Sequence, residues 1–178
     1  VGNRGQPLVP VESQTAFDAA VRNLTLAVED SKAVITPTLP VVRGDEGQLL
    51  QLFQNLLGNA LKFRQPDEPP RIHVSAQRTT DQWTFAVADN GIGIAPQFHE
   101  RIFAIFQRLH SRKKYAGTGI GLALCRRVVE RHQGRIWLES AEGRGTTFFF
   151  TLPAIDEPMN QSAHPLGSPI EILLVEDN

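Results

Sequence analysis

Asn55, Asn59 and Lys62 stand four and then three residues apart in the stretch DEGQLLQLFQNLLGNALKF. At roughly 100° per residue on a helix, Asn59 falls about 40° to one side of Asn55 and Lys62 about 20° to the other. Gln48 and Gln51 share that side, while nearly every other position is apolar. Two amide oxygens one turn apart can ligate a hard cation such as magnesium, and an ammonium on the next turn can meet a phosphate. A solvated helix face would also be polar, but such faces favour Glu and Lys over Asn, a poor helix former. The order of groups suits a metal-bound polyphosphate.

Two further stretches could complete such a site. Asp89 closes WTFAVAD in phase with Trp83, Phe85 and Val87, and a carboxylate on an apolar face must be paired or hydrogen-bonded, since burying it alone is very costly. It could accept from a planar ligand, such as the exocyclic amine of a base, with Gly91 and Gly93 letting backbone approach the ring. Asp-Asn-Gly is equally strong turn chemistry. Gly117, Gly119 and Gly121 precede or open a helix in GTGIGLAL. Unpaired N–H groups and the helix dipole make such a place an anion site. The run is neither a dinucleotide fingerprint nor a P-loop: Leu122 takes the place of the former's last glycine, and no Lys-Ser or Lys-Thr follows. Packing at a helix–sheet contact explains it as well. GRGTTF at 143–148 reads most simply as a hairpin turn.

The elements that must position these residues can be read from periodicity. A strand is expected at 8–11, a helix at 13–30 and a short strand at 33–38 closed by Pro37 and Pro40. Asp45 has the form of an N-cap, with Gln48 three residues on, for a helix running to about Phe63. RQPDEPP breaks it. Strands at 71–77 and 82–88 form a hairpin, a short helix starts near Pro96, and a helix spans 118–132. A second hairpin joins 134–140 to 146–152. Hairpins instead of regular βαβ units give an α+β fold, with a layer of helices on an antiparallel-rich sheet.

Composition bounds the function. A chain of 178 residues can bury one substantial core. The net charge of −1 lacks the basic excess of a nucleic-acid binder. No apolar run approaches the ~20 residues of a membrane span, so no membrane contact is expected of this stretch. Cys125 is the single cysteine, which excludes an internal disulfide and a multi-cysteine zinc site and suits a reducing, cytoplasmic setting. Residue 1 is Val, as expected for a piece of a longer protein.

Taken in order, NLLGNALKF, DNGIGI, FAIFQRLH, GTGIGLAL and GRGTTF resemble the nucleotide-binding boxes of the GHKL superfamily. The resemblance is to the catalytic ATP-binding (HATPase) domain of sensor histidine kinases in particular, and it covers about residues 7–153. KFRQPDEPP and FQRLHSRKKYAGTGIGLAL look most like phytochrome-related hybrid kinases. The resemblance implies a two-layer sandwich of helices on a mixed, largely antiparallel sheet, the Bergerat-type ATP-binding fold, with ATP on the helical side under a lid. It implies that Asn59 ligates magnesium with Asn55 beside it, and that Lys62 contacts phosphate. Phe63 would lie against the adenine pocket. Asp89 would accept from the adenine amine, with Gly91, Gly93 and Ile94 forming that wall. Gly117, Gly119 and Gly121 would cradle phosphates, Thr118 and Leu122 would also bind ATP, and Thr146 would close the base pocket. Residues 98–116 would be the lid, carrying Arg101, Arg108, His110, Arg112, Lys113 and Lys114. Phe103 and Phe106 suit core packing better than ligand contact.

The implied activity is transfer of the ATP γ-phosphate to a histidine on a separate, upstream dimerisation domain in two-component signalling, with a receiver domain or response regulator downstream. ATP-hydrolysing relatives carry Glu as general base where Asn55 stands, and an amide cannot take a proton at neutral pH. A regulatory ATP-binding module without transfer and a stand-alone ATPase are the competing readings. None of His73, His99, His110, His132 and His164 sits in an acceptor pattern; only His99 has an acidic follower. The domain is expected over 1–153 and a linker over 154–169. IEILLVEDN at 170–178 resembles the first strand of a receiver, with Glu176 and Asp177 as metal-binding acids.

Overall fold

The computed structural model describes residues 7–31, 39–104 and 119–155. Strand β1 (Val9–Glu12) leads into helix α1 (Ser13–Asn23) and helix α2 (Thr25–Ser31). The single helix expected over 13–30 is therefore divided at Leu24. Asn23 and Thr25 are weak helix formers, and the Thr25 hydroxyl donates to the Arg22 carbonyl (2.6 Å), drawing off an acceptor the helix would use. The strand expected at 33–38 lies outside the described residues. Strand β2 is Val41–Gly44, directly after Pro40, and pairs antiparallel with β1 so that Val11 opposes Val42 on the core side.

Helix α3 (Glu46–Lys62) follows with its expected cap: Asp45 Oδ1 accepts from the Gln48 N–H at 3.1 Å. The reciprocal half of the capping box is rearranged. Gln48 Nε2 donates to Asp45 Oδ2 (3.2 Å), and the Asp45 N–H donates instead to His132 Nε2 (3.0 Å). Gln48 thus serves the helix start.

Strands β3 (Ile72–Arg78) and β4 (Gln82–Asp89) form the first hairpin. Two 3-10 turns, Pro96–Phe98 and Arg101–Phe103, occupy the place of the short helix expected near Pro96. Helix α4 (Gly121–Arg131) precedes the second hairpin, β5 (Ile136–Ser140) and β6 (Thr146–Pro153). The four strands order β3-β4-β6-β5, and every described ladder is antiparallel. A bridge between Val42 and Ala154 links the small sheet to the end of β6.

Phe53 on α3 shows how the two layers meet. Its ring packs edge-on against Phe17 of α1 (5.4 Å), Phe85 of β4 (6.1 Å) and Phe150 of β6 (5.9 Å), while Phe85 and Phe150 stack at 4.9 Å. Leu49, Leu52, Leu56 and Leu57 extend the same buried face. Each such side chain stabilises the fold by about 1.5–3 kcal/mol through removal from water, so the seam opposite this face is held rigidly in place. Phe103 is buried against Phe148, the core role expected of it; Phe106 lies outside the described residues.

Candidate functional site

Three of the expected site groups meet along α3. At its middle, Asn55 Nδ2 donates to the Gln51 carbonyl (2.8 Å), which turns Oδ1 toward the start of α4. A Cβ at residue 121 would lie 2.6 Å from that oxygen, so any larger residue there would push the Asn55 carboxamide out of this position. Asn59 is half-buried one turn on, and its carboxamide has no hydrogen bond to any described residue. Lys62 Nζ lies 4.7 Å from the centre of the Phe63 ring.

Among the described residues, helix α4 begins without a side-chain cap: Ile120 precedes it, and its first turn holds no acid. Its leading N–H groups therefore keep the partial positive charge of the helix dipole. Gly119, at φ +75°, leads into it; Leu122 is half-buried against the core. Gly117, Thr118 and most of the expected lid lie outside the described residues.

At the far end of α3 the base-side residues assemble. Asp89 is the last residue of β4, opposite Ile72 of β3 and Thr146 of β6. Its Oδ1 accepts from the Gly91 N–H (2.8 Å) and the Thr146 N–H (3.2 Å). Burial pushes the carboxyl up to about 6, against the pull of these two donors. It remains chiefly a carboxylate above neutral pH, able to accept from a further donor.

Gly91 and Gly93 lie against protein backbone. A Cβ on Gly91 would collide with the Phe63 carbonyl oxygen, and one on Gly93, at φ +71°, with the Ala141 carbonyl oxygen. The Ile92 N–H donates to the Phe63 carbonyl (2.9 Å) and the Gly143 N–H to the Ile92 carbonyl (2.8 Å). The Ile94 N–H donates to Ser140 Oγ (2.8 Å), which sits 2.9 Å from the buried Thr146 hydroxyl.

Four residues of this assembly were not singled out in the sequence. Gln65, Asn90, Ser140 and His132 act through backbone partners far along the chain. Asn90 faces away from Asp89: its Oδ1 accepts from the Arg71 N–H (2.7 Å) and its amide donates to the Pro69 carbonyl (3.1 Å), bracing the 64–71 loop. His132 is fully buried at the end of α4. Because its Nε2 accepts from Asp45, the proton sits on Nδ1, 2.8 Å from the Val128 carbonyl, and burial holds its pKa below the ordinary imidazole value. Cys125 is buried and its thiol is pushed up to about 12, so it is chemically quiet.

From Asn55 to Phe63 the helix rises about 12 Å. Amide oxygens and a bare helix start lie at one end, and a buried acceptor between loops at the other. That length and polarity match an elongated ligand with an anionic tail and a hydrogen-bonding ring. Residues 44–156 match the family described as histidine kinase-, DNA gyrase B-, and HSP90-like ATPase. The chain belongs to this family.

Within the HATPase family its sequence is 54% identical over 143 residues to cyanobacterial phytochrome A of Nostoc sp., covering 80% of this chain and 19% of that protein. The chain thus spans about a fifth of the length of the phytochromes it matches. Its fold is similar to the mycobacterial sensor histidine kinase MprB (TM-score 0.71, 27% identity, 82% of this chain and 97% of that one). It is also similar to full-length ShkA in complex with AMPPNP (TM-score 0.70, 27% identity, 85% of this chain and 32% of that one). Among the described residues, no helix is long and apolar enough to cross a membrane.

Proposed function

We propose that this HATPase domain binds Mg-ATP along α3 and donates the γ-phosphate to a histidine of a separate dimerisation domain. The observation that carries the reading is the contact of Asn55 with Gly121, which joins the amide seam to an uncapped helix start. In this reading the N–H groups opening α4 receive the phosphates, with Gly117, Thr118, Gly119 and Leu122 completing the cradle. Lys62 adds a positive charge, and Asp89 accepts from the adenine amine between the wall of Gly91, Gly93 and Ile94 and the side closed by Thr146. Phe63 flanks the ring.

Magnesium fits the donor set. The described residues hold no cluster of three or more His, Cys, Asp or Glu for an all-protein metal centre. Asn59 offers an amide oxygen not engaged by any described residue, and magnesium is commonly bound by few protein ligands together with substrate phosphates and water. Bound there by Asn59 and Asn55, it would neutralise phosphate charge. Asn55 cannot take a proton from water, which favours transfer over hydrolysis. The γ-phosphorus leaves the bridging oxygen of ADP and bonds to an imidazole nitrogen of the acceptor. Catalysis is then positioning and charge stabilisation.

The partners in this reading are an upstream histidine-bearing dimerisation domain and a receiver domain or response regulator, in the cytoplasm. Residues 154–169 are read as a linker and 170–178 as the start of a receiver; the support is composition and the paired acids Glu176 and Asp177.

Titration of Mg-ATP by calorimetry, followed by labelling with radioactive ATP and an added dimerisation domain, tests the reading. Wild type should bind and label the acceptor histidine. Asn59→Ala should keep the fold and lose at least about a hundredfold in labelling, and Asp89→Asn should lose nucleotide affinity. Binding without phosphohistidine would point to a regulatory module, and steady phosphate release without the acceptor to an ATPase; either result overturns the proposal.

A further inference from the structure

One side chain of the loop that follows α3 ties together the two segments that hold Asp89. Gln65 Nε2 donates to the Gly91 carbonyl at 3.1 Å and to the Gly143 carbonyl at 3.4 Å. These carbonyls belong to the two loops whose N–H groups, from Gly91 and Thr146, hold Asp89 Oδ1.

The geometry at the Gly91–Ile92 peptide is a clamp. Its N–H, from Ile92, donates to the Phe63 carbonyl, and its carbonyl, from Gly91, is held by Gln65. Both poles of one peptide plane are thus gripped from the 63–65 segment. The second hairpin is drawn into the same clamp, because Gly143 accepts from Gln65 and donates to the Ile92 carbonyl. Without the Gln65 amide this peptide is held at one pole only. Gly91 has the widest backbone freedom of any residue type, so a loosened Gly91–Ile92 peptide lets the preceding peptide, whose N–H reaches Asp89, shift with it.

We propose that Gln65 is a positioning residue for base selection, fixing the two loops that aim the Asp89 carboxylate at the ring amine. The proposal rests on the adenine reading of Asp89. It concerns discrimination more than adhesion. A carboxylate accepts from the amine of adenine but repels the carbonyl oxygen that inosine carries at the same position, and buried polar mismatches of this kind dominate selectivity. A carboxylate free to turn loses that selectivity while the phosphate grip is untouched.

The experiment compares the affinities of Mg-ATP and Mg-ITP for the full chain, as wild type, Gln65→Met and Gln65→Glu, with thermal melting of each. Gln65→Met keeps the side-chain length and removes the donor; Gln65→Glu keeps the shape and sets a carboxylate against two carbonyl oxygens. Wild type should prefer ATP. Gln65→Met should lower the ATP-over-ITP preference about fivefold, mainly through weaker ATP binding, and Gln65→Glu should lower it further; loss of one hydrogen bond is worth that order of effect. A purely structural contribution would lower the melting temperature and leave the ratio alone. A folded variant of either kind with the wild-type ratio overturns the proposal by itself. A wild type without ATP preference, or unaffected by Asp89→Asn, overturns the adenine reading beneath it.

Discussion

Helices α3 and α4 begin in opposite ways. The start of α3 is closed: Asp45 accepts the Gln48 N–H, and Glu46 stands in the first turn. The start of α4 is open: Ile120 provides no cap, no acid follows, and Gly121 leads the helix against Asn55. Each helix start carries the equivalent of roughly half a positive charge. At α3 the chain spends a side chain to satisfy it, gaining about 1 kcal/mol of stability. At α4 the chain leaves that gain unused, and the charge remains for an anion to meet. In the proposed reading, the difference separates the helix end that holds the fold together from the one that would receive the phosphates.

The largest expected effect comes from the residue that links the two helices. His132→Ala removes the acceptor of the Asp45 N–H, leaves that group buried without a partner and opens a cavity at the end of α4. Urea denaturation should report a loss of about 3 kcal/mol. The wild-type imidazole is held neutral by burial, with its folded pKa below 6.5. Its contribution is therefore complete above about pH 6.5 and is lost as pH falls through the folded value. His132→Gln, which cannot be protonated, should show a flatter stability profile between pH 6.5 and 4; an unchanged profile would detach this residue from the acid sensitivity.

Closing the open helix start sharpens the comparison further. Ile120→Asp places a carboxylate where the phosphates are proposed to sit. Stability should hold or rise slightly, by up to about 1 kcal/mol, while ATP affinity falls about tenfold; Ile120→Asn, a neutral control, should bind nearly as wild type does. Equal binding by both variants would mean that the start of α4 does not face the phosphates. The smallest effect belongs to the mirror experiment. Asp45→Ala should cost about 1 kcal/mol in melting studies and leave nucleotide affinity unchanged.

What could be read ahead of the structure follows from where each signal resides. The seam of α3 and its Asp45 cap were legible because helical period and capping are local. Asp89 was legible because a carboxylate broke an alternating apolar strand. Strand β2 was not, because four residues behind Pro40 are too few to show alternation. The division at Leu24 was hidden by apolar spacing that continues across it. The roles of Gln65, Ser140 and His132 depend on backbone atoms 26, 46 and 87 residues away, and no pattern of side-chain types encodes such a meeting. That Gly91 and Gly93 also leave no room for a side chain beside the carbonyls of Phe63 and Ala141 could not be read from DNGIGI, because those carbonyls come from distant segments.

Asp89 ends an inner strand, with Ile72 on one flank and Thr146 on the other. The rung closes the ends of three strands, and a neighbour on each flank leaves it no open edge. Amide protons of β4 and β6 should exchange more slowly than those on the outer edges of β3 and β5. In the proposed reading the ring is thus met at a rung braced on both flanks, while the phosphates lie about two turns back along α3, beside Asn55 and the start of α4.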